Sequence, residues 1–171
     1  MSFQNQFTKT TTDANLMETV HHGSAEYPFR YYYENIALFD FKCIDWHWHS
    51  ELEFIYIESG NVVFDIGTVH FELNEGNGIM INSKILHRLQ SSSDAIIPNF
   101  LFQPSFIAPQ DSIIYKKYIN PVISSSLEYL VFQPDIPWQK KALEIIKTII
   151  AVQETEFNRE IIVSMSVQQL W

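Results

Sequence analysis

The chain has 171 residues, and its 11 lysines and arginines against 20 aspartates and glutamates give a formal net charge of −9. This length predicts one domain, and a hydrophobic fraction of 46% is that of a globular protein rather than a disordered one. The acidic balance argues against direct contact of these residues with nucleic acid, which requires a basic surface. A single cysteine, Cys43, excludes an intrachain disulfide and a cysteine-rich zinc module.

The first 26 residues form a polar segment rich in Thr, Asn, Gln and Glu. This segment lacks the basic flank and apolar run of a signal peptide, and no apolar stretch in the chain approaches the roughly 20 residues that span a membrane. We therefore expect a cytoplasmic protein, and we interpret residues 1–26 as a loosely ordered arm. The pair His21 and His22 is a weak candidate for a metal site, because no ligand type stands in register with it.

From Phe29 onward, short apolar runs alternate with turn signals at a spacing of roughly 8–12 residues. This pattern is typical of a β-sandwich or barrel rather than of an alternating α/β fold. Aromatic residues make up 15% of the chain, which favours strands around a filled interior. The predicted strands cover residues 29–33, 36–42, 44–49, 52–57, 61–66, 69–73, 78–82, 87–90 and 96–102.

The last third of the chain has mainly helical patterns. Residues 111–119 predict a helix that is stopped by Pro121, and 127–132 predict one more strand. Pro137 favours the first turn of a second helix, because its missing N–H would have no partner there. A third helical pattern starts at Arg159 and reaches the last residue without a stop signal, which suggests that the natural polypeptide continues.

The second of these helices carries a broad apolar stripe over residues 142–150. Such a stripe is explained most simply by packing onto the barrel. A helix–helix dimer interface is the alternative, and both hold if one side of the helix meets the barrel and the other meets a partner.

Four residues form the most informative pattern in the chain: His47, His49, Glu53 and His87. On a strand the side-chain period is two, so His47 and His49 share one face. Glu53 joins them only if the chain turns near residues 50–52 and returns on the neighbouring strand, and His87 must come from a later strand. Histidines with a carboxylate suit divalent transition metals, here Zn, Ni, Mn or Fe.

The spacing of these residues resembles the two motifs of the cupin superfamily, a small β-barrel. The residues that match motif positions are His47, His49, Glu53, Gly60, Gly76 and His87. The positions that depart from the motifs are Phe41, Asn82, Lys84 and Ser91. The resemblance implies a mainly β fold, a cupin-like double-stranded β-helix (jelly-roll barrel) followed by two C-terminal α-helices. It also implies that the four ligand positions are capable of binding metal, with a decayed, hydrogen-bonded site as the alternative.

The runs YPFRYYYENI, HWHSELEFIYIESG, HFELNEGNGIMINSKILH, FQPSFI and KKYINPV resemble the N-terminal sensor domain of AraC-type transcription regulators, over about residues 27–125. This resemblance implies a small-molecule effector in the barrel, homodimerisation through C-terminal helices, and DNA binding through a further domain that is absent here. We expect an arm over residues 1–26, a cupin sensor domain over 27–133 and a helical dimerisation segment over 134–171.

Two further residues are candidate contacts for an effector. Arg30 lies in an aromatic strand, where it could clamp an anionic group or stack on neighbouring tyrosines at the surface. Asn99 lies in an apolar strand and could face the lumen as a polar contact. His70 lacks a motif partner, and Glu51 is expected to be solvated in the turn before Leu52.

The expected protein is thus a sensor and not an enzyme. A metal-dependent cupin enzyme, such as a dioxygenase or isomerase, is the rival, because the ligand set is complete. Asn82 and Lys84, which replace the proline and glycine of the second motif, disfavour this rival. A dimerising scaffold with an empty barrel is a third possibility.

Overall fold

The structure is a computed structural model that describes residues 7–155 and 157–171. Its strands are β1 (Phe29–Asn35), β2 (Cys43–His47), β3 (Leu52–Tyr56), β4 (Asn61–Ile66), β5 (Val69–Asn74), β6 (Gly78–Ile81), β7 (His87–Gln90), β8 (Ile96–Phe102) and β9 (Tyr129–Phe132). They form two antiparallel sheets, with the strand orders β1-β8-β3-β6-β9 and β2-β7-β4-β5. These sheets and the helices that follow confirm the predicted fold class, a cupin-like barrel with C-terminal helices.

The interior between the two sheets is aliphatic over most of its length. Both sheets contribute residues at every second position of their strands, as the pleat requires. The buried residues of this inner core are Ile36, Ile55, Ile57, Val62, Phe64, Ile66, Leu73, Ile79, Ile81, Leu89, Ala95 and Ile97. Burial of this apolar surface is the main stabilising contribution to the barrel.

The outer face of the five-stranded sheet carries an aromatic layer instead. The rings of Phe29 and Phe100 stack with centroids 5.7 Å apart, those of Phe100 and Phe54 are 5.4 Å apart, and those of Phe54 and Phe132 are 6.2 Å apart. The C-terminal helices pack on this layer in a second core that also contains Leu143 and Ile146. The five-stranded sheet therefore separates the barrel lumen from a second hydrophobic layer on its outer face.

Three helices follow β8: the short α1 (Asn120–Ile123), α2 (Pro137–Val152) and α3 (Arg159–Leu170). Pro137 occupies the first turn of α2, as its missing N–H predicts. The apolar stripe of α2 is buried against the barrel, with Ile146 and Ile149 fully inaccessible, so core packing explains it. No helix in the described part of the chain is long and apolar enough to cross a membrane.

Two local predictions are wrong. Residues 36–42 were expected to be a strand, but they form two short 3₁₀ turns, because the side chain of Asn35 accepts a hydrogen bond from the backbone N–H of Ala37 and starts a turn. Pro121 was expected to stop the preceding helix. Instead it lies in the first turn of α1, where a proline needs no hydrogen-bond donor, and a π-helical turn over Tyr115–Ile119 precedes it.

The N-terminal arm was expected to be loosely ordered, and residues 1–6 lie outside the described residues. Residues 7–26 instead lie against the mouth of the barrel. The backbone N–H of Trp48 donates to the carbonyl of Leu16 at 3.0 Å, and the N–H of Glu18 donates to the carbonyl of Trp48 at 2.9 Å. The indole N–H of Trp48 also donates to the carbonyl of Asn15 at 2.9 Å. Backbone hydrogen bonds thus order a segment whose polar composition predicts no ordered structure.

Candidate functional site

The four residues of the predicted cluster meet at one end of the barrel lumen. His47 ends β2 and pairs in register with His87, which begins β7. The chain turns after His49, and Glu53 returns on β3, the neighbouring segment, as the motif requires. All four are buried, with exposed fractions between 0% for His87 and 7% for Glu53.

A backbone carbonyl lies at the Nδ1 atom of each of the three histidine rings, at 3.3 Å from Glu51 for His49 and closer for the other two. The Nδ1 atom of His47 lies 2.8 Å from the carbonyl oxygen of Asp45, and the Nδ1 atom of His87 lies 2.8 Å from that of Ile85. Because a carbonyl only accepts, each Nδ1 carries the proton, and each Nε2 presents a lone pair to the lumen. Second partners of this kind are typical of metal-ligating histidines.

The Nε2 atom of His87 is buried and has no hydrogen-bond partner. Glu53 Oε2, which is itself an acceptor, lies 3.2 Å from it. With the proton on Nδ1, two lone pairs face each other in a dry site. Such an arrangement is unfavourable unless a proton or a cation lies between the two atoms.

The geometry of the cluster fits one metal ion. The ligand atoms of His47, His49 and His87 all lie within 4.8 Å of one another. Two nitrogens bound to one zinc ion are at most about 4 Å apart, so the observed separations are close to those of a bound ion. Glu53 Oε2 is also 3.4 Å from His49 Nε2. The residues present could therefore supply three nitrogen ligands and one carboxylate.

Charge and burial oppose each other within this cluster. Burial, and then the neighbouring rings of His87 and His49, hold the pKa of His47 well below its usual value, so His47 is neutral. Burial alone would raise the pKa of Glu53, but the rings of His49 and His87 beside its carboxylate outweigh this effect, and the pKa lies far below the usual range. A neutral imidazole beside an ionised carboxylate is the state that a divalent cation prefers.

The arm closes the cluster from outside. His22 is buried, with its Nδ1 atom 2.8 Å from the hydroxyl of Tyr32 and its Nε2 atom 2.9 Å from Glu18 Oε2. Its ring lies edge-on to that of His49, with centroids 5.7 Å apart. Burial lowers the pKa of His22, but the hydrogen bond and charge of Glu18 outweigh this effect and raise it. The sequence gives His22 only as a weak metal candidate paired with His21, since no periodicity places it beside the cluster.

A buried carboxyl lies on the same lumen wall. Glu34 of β1 accepts a hydrogen bond from Asn99 Nδ2 at 2.9 Å. Burial, only partly offset by this bond, raises the pKa of Glu34 to about 8, so the group is protonated at neutral pH. Alternate residues of a strand share a face, so Glu34 lies on the same face of β1 as Arg30 and Tyr32. This alternation is the sequence signal that could have identified Glu34 as a lumen residue.

The cavity that remains beneath the arm has a volume of about 40 Å³. Its walls include His47, Glu53, Glu34 and Asn99 from the barrel and His22 from the arm. This volume holds about one water molecule or one ion. With the arm in place, the lumen has no space for a larger molecule.

The residues that differ from the cupin motifs still adopt the backbone conformation of the motifs. Phe41 and Lys84, which stand where the motifs have glycine, have φ angles of 58° and 64°, the left-handed region that favours glycine. Asn82, in the proline position, donates to the carbonyls of Val122 and Leu127 and ties the α1 region to the barrel. The backbone framework of the motifs is therefore retained while its side chains differ.

Arg30 and His70 lie apart from the cluster, whereas the carboxylate of Glu51 lies 3.8 Å from Nδ1 of His49. Arg30 is exposed and its guanidinium lies 5.8 Å from the centroid of the Tyr32 ring. His70 is exposed and pairs with Asp65 at 2.7 Å. The expectation that Glu51 is solvated is wrong, because Glu51 is buried and accepts a hydrogen bond from Gln103 at 2.7 Å.

Residues 38–109, which include all four residues of the cluster, match the family model described as the AraC-like ligand binding domain. Over these residues the chain is similar to AraC-like ligand-binding domains, and the term AraC-like domain below refers to this similarity. This finding confirms the predicted family.

The AraC-like domain has a curated relative in Bacillus subtilis strain 168, the uncharacterized HTH-type transcriptional regulator YdeC. The two are 31% identical over 163 residues, which are 93% of this chain and 55% of the relative. The chain thus spans about half the length of that relative.

Two solved structures are similar to the AraC-like domain. A variant of apo ToxT from Vibrio cholerae matches 86% of this chain and 55% of its own, with a TM-score of 0.54 and 8% identity, which shows a shared fold. A cupin-2 domain protein from Shewanella frigidimarina matches 43% of this chain and 69% of its own, with a TM-score of 0.38 and 14% identity.

Proposed function

We propose that this chain is the effector-sensing part of a cytoplasmic AraC-type transcription regulator, which acts on DNA through a domain that these residues do not include. The family match and the relative named as an HTH-type regulator support this proposal. The net charge of −9 is compatible with it only if other residues contact DNA.

One observation carries the sensing role: the Nε2 atom of His87 is buried and without a hydrogen-bond partner, beside His47, His49 and the carboxylate of Glu53. We infer that His47, His49 and His87, with Glu53, hold one divalent transition metal. Such an ion would neutralise the carboxylate and offer a Lewis-acid anchor to an effector oxygen. Asn99 and Glu34 are the polar groups beside it that would contact a ligand.

The arm is the element that would report occupancy. Its backbone pairs with Trp48, the residue between His47 and His49, so the arm and the cluster share one stretch of chain. An ion that orders the two histidines also orders the backbone to which the arm binds. A larger effector exceeds the cavity and must displace the arm. Occupancy and arm position are therefore thermodynamically linked, and each changes the other.

The metal is tested by titrating the chain with Zn²⁺, Ni²⁺ and Mn²⁺ in an isothermal calorimeter. We expect one site per chain in the wild type, and a loss of affinity of about 100-fold or more in His47→Ala and His87→Ala. His70→Ala is the matched control, because His70 is exposed and bound to Asp65, and its affinity should be unchanged. Absence of saturable binding by the wild type would refute the proposal that the cluster holds a metal ion.

The linkage is tested by hydrogen exchange with and without Zn²⁺. The amides of Glu18 and Trp48, which form the bonds between the arm and the barrel, should exchange more slowly in the zinc-bound protein. The amide of Val63, which lies in the four-stranded sheet away from the arm, serves as an internal control and should not change. Equal exchange of Glu18 and Trp48 in both states would remove the arm from the response.

We infer that homodimerisation uses α3 rather than the apolar stripe of α2, since that stripe is buried in the core. Phe157, Ile161 and Met165 recur at every fourth position and are 80%, 58% and 65% exposed. Met165→Glu should shift sedimentation of the protein to the monomer, whereas Leu38→Glu, at an apolar position on the barrel that is 48% exposed, should not. A monomeric wild type would contradict this assignment.

A metal-dependent cupin enzyme remains the second candidate, favoured by the complete set of ligand residues. Elemental analysis of protein purified without chelator, combined with oxygen-uptake assays of wild type and His47→Ala, separates the two functions. Turnover that disappears in His47→Ala would establish the enzyme.

A further inference from the structure

His49 differs from the other two histidines of the cluster in what faces its Nδ1 atom. In His47 and His87 this atom lies 2.8 Å from a backbone carbonyl oxygen. In His49 the carbonyl oxygen, that of Glu51, is 3.3 Å away, and the carboxylate of Glu51 lies beside the same nitrogen with Oε2 at 3.8 Å. The backbone therefore holds the ring of His49 less closely than the other two, and a carboxylate supplements it.

Glu51 is itself fixed by hydrogen bonds from the barrel. Nε2 of Gln103, the residue after β8, donates to Glu51 Oε1 at 2.7 Å and to the hydroxyl of Ser50 at 2.8 Å. The hydroxyl of Ser50 donates in turn to Glu51 Oε2 at 3.3 Å. The hydroxyl of Ser83 donates to the carbonyl of Ser50 at 2.7 Å and so holds the turn that carries both residues. The fold, rather than solvent, sets the position of this carboxylate.

The buried carboxylate of Glu51 has no lysine or arginine beside it. Glu51 is 8% exposed, and among the described residues its ion-pair partner is His49. Buried charges in proteins are normally paired with a cation or bound to a metal. The amide of Gln103 and the hydroxyl of Ser50 supply hydrogen bonds but no charge. The ring of His49 is the group through which a positive charge reaches this carboxylate.

The two nitrogens of His49 face different spaces. Glu51 and Gln103, together with His49, line a cleft of about 370 Å³ between the arm and the barrel. The small cavity beneath the arm is lined instead by His47 and Glu53, and Glu53 Oε2 lies 3.4 Å from Nε2 of His49. Glu51 therefore lies on the side of His49 away from the other ligand residues. It acts on an ion in the cluster through the ring and not by direct contact.

We propose that Glu51 is a positioning residue of the cluster, which orients the ring of His49 and strengthens its hold on the ion. This inference rests on the metal site proposed above. A carboxylate at Nδ1 favours the tautomer with the proton on that nitrogen, and it leaves the lone pair of Nε2 for the metal. It also stabilises the positive charge that a bound ion induces on the ring. Partners of this kind typically change metal affinity by about 10- to 100-fold.

The test compares zinc binding by the full chain and its Glu51→Gln variant in an isothermal calorimeter. Glutamine keeps the size of the side chain and still accepts from Gln103, but it removes the charge, so we expect affinity to fall about tenfold. The urea midpoint of the metal-free variant should not fall. A merely structural role would instead lower that midpoint and leave zinc affinity unchanged, which would overturn the proposal.

Glu72→Gln is the matched control, because Glu72 is exposed and accepts a hydrogen bond from Asn61 on the other sheet. It should bind zinc as the wild type does. Equal zinc affinity of the wild type and Glu51→Gln would overturn the role of Glu51 and leave the metal site standing. A wild type that binds no zinc would overturn both.

A measurement on the wild type does not depend on the folding of a variant. Long-range ¹H–¹⁵N NMR of the zinc-bound chain identifies the nitrogen of each histidine that carries the proton. We expect the proton of His49 on Nδ1, with a resonance downfield of those of His47 and His87, because a charged acceptor forms the stronger hydrogen bond. Zinc on Nδ1 of His49, or a His49 proton upfield of the other two, would overturn the proposal.

Discussion

The two faces of the five-stranded sheet have different roles, although the same strands supply the residues of both. Residues Phe29, Phe100 and Phe102 point outward into a stacked aromatic layer under the helices, whereas Glu34 and Asn99 from the same two strands point inward. β3 repeats the contrast, since Phe54 faces the helices and Glu53 faces the histidine cluster. Because the strand period is two, adjacent residues can serve separate sites.

This difference teaches where each kind of effect should appear. Substitutions on the outer face should change stability and the docking of helices, and leave ligand chemistry intact. Substitutions on the inner face should change charge, proton and metal binding. A substitution that changes both would show that the sheet transmits changes between its faces.

The largest effect should come from the outer face. Phe100→Ala removes the ring that stacks on Phe29 and Phe54, and we expect a loss of about 3–5 kcal/mol in the free energy of unfolding. Urea denaturation measures this loss. Zinc affinity of the folded variant should stay within a factor of about three, because the removed ring lies on the opposite face; a much larger change would show that the two faces are coupled.

The inner face has a pH signature at Glu34. Its pKa of about 8 in the folded protein exceeds the ordinary value of 4.5, so the folded state keeps a proton that the unfolded chain releases. Burial of this group therefore costs stability that grows as the pH rises from about 4.5 to about 8. Glu34→Gln removes that cost, and we expect a gain of about 1–3 kcal/mol at pH 8 that vanishes near pH 4.5. Denaturation of both proteins across this range measures the gain, and a gain independent of pH would contradict the assignment.

Close approach of α2 to the sheet provides a smaller test of the outer face. A Cβ atom on Gly78 would lie 2.9 Å from Cδ2 of Leu143, so Gly78→Ala should cost about 1–2 kcal/mol of stability. In the background of Leu143→Ala the same change should cost much less, since the crowding atom is absent. A double-mutant cycle by thermal unfolding measures this coupling, and additive effects would show that the crowding lies elsewhere.

The smallest effect should come from the motif framework. Lys84 adopts a left-handed conformation that glycine tolerates without strain, so Lys84→Gly should stabilise the protein by about 1 kcal/mol. Lys9→Gly is the comparison variant outside this framework, and it should give no gain. Thermal unfolding monitored by circular dichroism distinguishes these results, and destabilisation by Lys84→Gly would mean that its side chain contributes to the fold.

Much of this architecture follows from local sequence pattern. Alternation predicts that His47 and His49 share one face, and Glu53 joins them only if the chain turns near residues 50–52. The resemblance to the cupin motifs, rather than alternation, assigned His87 to the cluster. The position of His22 could not be predicted, because it depends on backbone bonds between residues more than 25 apart in the chain. Glu34 was missed because β1 extends to Asn35, beyond its predicted end at Tyr33.

The predicted strand over residues 36–42 failed for a local reason of another kind. Apolar alternation there competes with the side chain of Asn35, which caps a turn and redirects the chain. The left-handed conformation of Phe41 and Lys84 is not indicated by their residue types, and only their positions in the motifs, where glycine is usual, indicate it.

The pairing of the arm with Trp48 has a consequence for solubility. β2 is an edge strand of the four-stranded sheet, and an uncovered edge offers free N–H and C=O groups to any other chain. The arm occupies part of that edge, through Trp48 and through the hydroxyl of Thr10, which accepts from the N–H of Asp45. A chain whose arm is lifted or truncated therefore exposes a template for strand addition. The arm, which covers the lumen, therefore also protects the protein from aggregation through this edge.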